Sequence, residues 1–184
     1  MTRPLIFSLV AVLLATQALA DKQADKRAKI QKTRVEVLER LYQEEPDTRK
    51  EIQNADGYAV FSNVGVNIIF LSGAGGSGVV HDNASGQDTY MNMGSAGVGI
   101  GLGVKDFRAV FVFHSRKALD GFIKNGWDFS GQADAAAKSS DRGGEGSTAA
   151  SLISGVNVYQ LTENGLALQA TLQGTKYWVS KKLN

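Results

Sequence analysis

His81 and His114 are the only two imidazoles in this chain, and it contains no cysteine. Lack of cysteine removes disulfides, thiol nucleophiles and thiolate metal sites at once. Two distant histidines with no carboxylate cluster give no zinc signature. His114 is a candidate general base and Ser77 a candidate nucleophile. Neither sits in a nucleophile elbow. Gly75-Gly76-Ser77-Gly78 runs into Val79, and the Ser95 candidate begins at Met93. Asp82 and Asp88 flank a turn but lack the spacing of a calcium loop. The residues therefore predict no metal and no catalytic machinery.

Gly73-Ala74-Gly75-Gly76-Ser77-Gly78 fits G-x-G-x-x-G behind an apolar run. A dinucleotide site needs a helix to open there, with an acidic residue further on for the ribose. Val79-Val80-His81-Asp82-Asn83 instead reads as a strand entering a turn. No lysine follows the glycines, so they form no phosphate loop either. They are expected to serve sheet geometry, and no cofactor or nucleotide is expected.

The remaining chemistry is charge. Lys22, Lys26, Arg27, Lys29, Lys32 and Arg34 crowd one half of a helical segment, and Glu36, Glu39, Glu44 and Glu45 follow. A helix dipole favours the opposite order. One reading is a solvated helix end with i,i+4 pairs such as Arg40 with Glu44. The other is a basic segment that meets anionic lipid headgroups.

That segment, Lys22 to Glu45, is the one long helical pattern. Val35, Leu38 and Tyr42, with Leu41 beside them, set its apolar stripe, and Pro46 stops it. After Asp56-Gly57 the texture changes to short β segments separated by glycine. Strands are expected at 58–61, 66–71, 78–81 and 88–93, with a hairpin turn over Asp82 to Gly86. In 97–104 four glycines alternate with four aliphatics, which gives one bare strand face. Arg108 to Phe113 reads as a buried strand. Ser115 caps a short helix to about Lys124, with Ala118, Leu119 and Phe122 on its apolar side, and Asn125-Gly126 closes it. The stretch 127–137 has room for another strand, and 139–147 is a polar glycine-serine loop. Strands at 155–161, 166–171 and 176–180 finish the chain, the first two joined at Glu163-Asn164-Gly165. Scattered aromatics read as core, except that Trp127 and Trp178 also suit a surface rim. The fold class is α+β. It has a curved, mainly antiparallel sheet or partial barrel, a long N-terminal helix and one short inserted helix.

Residues 1–20 read as a cleavable signal peptide. Arg3 precedes an apolar run from Leu5 to Ala15, and Ala18-Leu19-Ala20 offers a small-x-small cleavage site. An apolar run of about 11 residues is short of the ~20 a membrane span needs. The expectation is an exported protein, and the lack of cysteine suggests a bacterial periplasm. Residues 21–184 are then one domain, with a helix over 21–45 and a β-rich body over 56–184. A net charge of +2 over 184 residues argues against a dedicated nucleic-acid binder, and 43% hydrophobic residues suffice for a core.

Several segments line up in order with a known pattern. Ala55-Asp56-Gly57-Tyr58-Ala59-Val60-Phe61-Ser62-Asn63-Val64-Gly65 resembles the opening of the SYLF domain family, with Ser62 where the family usually has proline. Gly75 to Val80 is similar to its glycine-rich segment, and Gly94-Ser95-Ala96-Gly97-Val98-Gly99 to its following strand. Ala118-Leu119-Asp120-Gly121-Phe122 with Gly126-Trp127-Asp128-Phe129, and the ending Gly174-Thr175-Lys176-Tyr177-Trp178, complete the resemblance to an exported bacterial branch. The resemblance implies a non-enzymatic domain that binds phospholipid, partly through the helix at its N-terminus. Eukaryotic members bind phosphoinositides and yeast members associate with actin. Neither is expected in a periplasm. The implied partner is an anionic lipid headgroup or membrane surface, and the implied contacts are Lys22, Lys26, Arg27, Lys29, Lys32 and Arg34. An envelope structural or protein-interaction module, and a hydrolase using His114 or Ser77, are the alternatives.

Overall fold

The computed structural model describes residues 4–63, 69–70, 73–95, 108–129, 150–162, 165–167 and 175–184. Helix α1 (Pro4–Glu44) is followed by a short α2 (Thr48–Asn54). Strands β1 (Gly57–Ser62), β2 (Ile69–Phe70), β3 (Gly73–Asp82), β4 (Asp88–Ser95) and β5 (Arg108–Phe113) come next. Helix α3 (Arg116–Asn125) precedes β6 (Trp127–Asp128), β7 (Ala150–Ile153), β8 (Val156–Thr162), β9 (Gly165–Ala167) and β10 (Thr175–Val179). The strands form a curled antiparallel half-barrel in the order β6-β10-β4-β3-β1-β5-β8-β7, with β2 on β3 and β9 on β8. This is the α+β class expected of the sequence.

Period-two alternation explains the two cores. On β5, Ala109, Phe111 and Phe113 point to one face and Val110 and Val112 to the other. The first face meets Phe61, Met91, Met93, Val158 and Tyr177, and is covered by Leu119 and Phe122 of α3. Its rings pack edge to face, with Phe61 and Tyr177 centroids 4.7 Å apart. Such pairs add to burial because the positive ring edge meets the negative ring face. The second face carries Val60, Tyr159 and Leu161 and is covered by Val37, Leu38 and Leu41 of α1 and Ile52 of α2.

The glycine-rich segment is a strand, as its sequence setting predicts. A Cβ on Gly78 would strike the Val60 carbonyl oxygen and the Phe61 ring. A Cβ on Gly76 would come within 2.7 Å of the Ser62 carbonyl oxygen. These glycines let β3 lie against β1 with the large Phe61 ring between them and the core. Gly126 closes α3 at φ +67°, a backbone region that disfavours side chains, and its amide donates to the Phe122 carbonyl. Ser115 occupies the N-cap position with extended backbone, although its hydroxyl makes no capping bond.

Three expectations are corrected or completed. The apolar stripe of α1 is rotated: Ile30, Val37, Leu38 and Leu41 face inward, Tyr42 is half-buried, and Val35 is 50% exposed. The inward stripe also carries Arg27, Gln31 and Arg34, whose polarity hides it from a search for apolar residues. Helix α2 was not foreseen, since its seven residues bury only Thr48 and Ile52. Strand β7 was not foreseen either. The alternating glycines of 97–104 and the loop at 139–147 lie outside the described residues.

Candidate functional site

The six basic residues of the first helix separate into two groups. Arg27 and Arg34 lie on the side of α1 that meets the sheet. Arg27 donates from Nε to the Leu183 carbonyl at 2.8 Å, and its guanidinium stands 5.8 Å over the Tyr90 ring. Arg34 Nη1 lies 3.0 Å from Asp88 Oδ1 and 3.1 Å from Oδ2. Between them Gln31 donates to Asp88 at 2.8 Å and to the Tyr90 hydroxyl at 2.8 Å. Asp88 also meets His81 Nδ1 at 2.7 Å, and the His81 ring lies tilted against Tyr58 with centroids 5.2 Å apart. One carboxylate at the start of β4 thus holds a helix and a histidine together. A half-buried charge needs such partners, because desolvation is otherwise uncompensated.

The other four look away from the sheet or along its rim. Lys22, Lys29 and Lys32 are exposed and Lys26 is half-buried. Lys32 Nζ lies 3.8 Å from Glu36, a solvated pair of little energetic weight. Arg40 and Glu44 form the expected i,i+4 pair at 2.9 Å. The structure also adds cations that sequence distance conceals. Leu183 packs with Ile30 and Val79, and the Asn184 side chain bonds the Tyr90 and Ser180 carbonyls. Exposed Lys181 and Lys182 therefore stand beside the basic half of α1. The pair is visible in the sequence, but nothing there places it next to residue 27 or 30.

The second polar joint is built on Glu51 of α2. Its carboxylate accepts from Asn157 Nδ2 at 2.7 Å and from the Tyr159 hydroxyl at 2.5 Å, and His114 Nε2 lies 2.9 Å away. Burial, then the Glu51 carboxylate, pushes the Tyr159 phenol well above its ordinary range. The joint fixes α2 on β8 and on the end of β5. A third joint lies at the hairpin turn. There Asp82 accepts from the amides of Ala84 and Ser85 and pairs with Arg116. The Arg116 guanidinium holds the Asp82 carboxyl well below the usual carboxylate range.

The catalytic candidates are not brought together. Ser77 pairs across the sheet with Ser62, whereas His114 follows Phe113, which pairs with Gly57 at the other end of β1. Five residues along a strand at about 3.3 Å each separate those rows by roughly 17 Å. Neither imidazole hydrogen-bonds a hydroxyl among the described residues, and each is tied to a carboxylate that anchors a helix. Nor do the described residues contain a group of three metal-binding side chains, or a helix long and apolar enough to cross a membrane.

The chain is similar to known proteins in two comparisons. A family model described as "Ysc84: Las17-binding protein actin regulator" matches residues 94–184. The Beta cell expansion factor A of Aeromonas veronii is 32% identical over 150 residues, which cover 79% of this chain and 54% of that protein. The chain thus spans about half the length of this curated relative.

Proposed function

The chain belongs to the SYLF (Ysc84) family, a family of binding domains, and from that premise we propose that it is an exported, peripheral membrane-binding protein without catalytic activity. In this reading residues 1–20 are a leader removed on export to a periplasm, and residues 21–184 are the working domain. Its contact surface is the outward side of the basic half of α1, and its partner is an anionic phospholipid headgroup layer.

One observation carries the reading. Arg27 and Arg34 bolt α1 to the sheet, and that attachment leaves Lys22, Lys29 and Lys32 outward on a helix that is held in place. A pre-positioned row of lysines meets a charged surface without first ordering itself, so less of the attraction is lost to ordering. Near an anionic membrane each lysine contributes about 1 kcal/mol, screened by salt.

Vesicle cosedimentation tests this. The purified protein should pellet with vesicles containing phosphatidylglycerol at low salt, not with pure phosphatidylcholine, and should be released at high salt. Replacing Lys22, Lys29 and Lys32 together by Glu should weaken binding by about two orders of magnitude at unchanged thermal stability. Equal pelleting of both proteins would sink the role given to α1.

A further inference from the structure

We propose that Trp178 is an interfacial anchor, whose indole enters the headgroup layer of an anionic bilayer drawn in by Lys181, Lys182 and the outward lysines of α1. This rests on the membrane-binding reading above, and adds to it a second, apolar contact on a different element.

The two tryptophans have opposite surroundings. Trp127 packs 4.4 Å from the Phe122 ring and 5.6 Å from Phe111, within the α3-side core. Trp178 is 41% exposed. Alternation along β10 explains the difference. Thr175 and Tyr177 point into the core, so Lys176 and Trp178 point to the other face. That other face is the one α1 covers. Trp178 stands opposite Asn92, two residues along β4 from Tyr90, and Tyr90 touches Gln31 and Arg27 of α1. The indole is therefore on α1's side of the sheet, on the strand next to the two-residue edge strand β6.

Its position is fixed rather than loose. The six-membered edge of the indole lies over Gly94, where a Cβ would stand 3.0 Å from Cη2. The turn after β10 is bolted to α1 by the Arg27 bond to Leu183. Trp178 thus shares the α1 side of the sheet with the turn that carries Lys181 and Lys182, and that turn is tied to the basic half of α1. These elements carry Lys22, Lys26, Lys29, Lys181 and Lys182 against two aspartates, Asp21 and Asp25. A half-exposed indole gains from a medium that is apolar at one end and wet at the other. A cationic rim complements a negatively charged plane. Together these features fit a phospholipid surface.

Tryptophan emission reads this directly, because Trp178→Phe leaves half-buried Trp127, packed on the α3-side core, as the background. Adding vesicles of phosphatidylglycerol and phosphatidylcholine should shift the emission to the blue and protect it from acrylamide. Acyl chains brominated near the headgroup should quench it. The variant Trp178→Phe should lose all three responses, and Trp178→Ala should bind the vesicles about tenfold more weakly at equal salt. Both variants lie at an exposed site, and circular dichroism checks that they fold. If the protein pellets with vesicles while its emission stays unchanged and Trp178→Ala binds like the original, the anchor is overturned and the membrane reading stands. If nothing pellets, both fall. Protection of Trp178 that follows protein concentration without vesicles would assign this face to a second copy of the chain and overturn the anchor.

Discussion

Among the described residues Tyr177 is the largest fully buried side chain, and its hydroxyl makes no hydrogen bond there. It lies among Phe61, Phe111, Phe122 and Phe129, with ring centroids from 4.7 to 6.4 Å. An unpaired buried hydroxyl carries its desolvation cost without return. Tyr177→Phe should therefore stabilise the protein by about 1 kcal/mol in urea denaturation, a sign opposite to that of most core substitutions. Glu51 shows the opposite arrangement, with three donors converging on one carboxylate. Both cases were beyond the sequence. The aromatic spacing of 175–179 marks Tyr177 as core, but no pattern tells whether a buried phenol finds a partner. Glu51 stands in a short polar stretch, and its donors come from 63 to 108 residues away.

At the scale of elements, the legible features were those with a strong local signal. The short apolar run of Arg108 to Phe113 marked the buried strand β5 to the residue, and Asn125-Gly126 marked the end of α3. What stayed hidden depended on partners in space. The inward face of α1 mixes Ile30, Val37 and Leu41 with Arg27, Gln31 and Arg34, and Asp88, Tyr90 and the Leu183 carbonyl make those polar residues inward-facing. The helix is consequently held in two ways, by apolar packing near Leu41 and by a polar latch near Arg34. Asp88→Ala should remove the latch and leave Arg34 without its carboxylate, at a cost of about 2–4 kcal/mol. Hydrogen exchange should then rise in residues 22–34 more than in residues 37–44. Equal exchange along the helix would show that Asp88 does not hold it.

For the whole molecule, the two buried phenols set an alkaline limit. Burial and, for Tyr159, the nearby Glu51 carboxylate raise both folded phenols above the ordinary value of 10.0. As pH rises, the unfolded chain loses those protons first, so the stability they support is intact below pH 10 and declines above it. The melting temperature should fall steeply beyond that point, and Tyr177→Phe should flatten the fall. The fold as a class was legible in the sequence, and so was a basic helix. The joint between that helix and the turn after β10 was not, because it joins residues about 150 positions apart. That junction orders events in time. Arg27 and Ile30 cannot find Leu183 until about 150 further residues have been synthesised. The basic half of the helix is thus made well before its C-terminal partner, and until then it waits as a cationic segment without that contact.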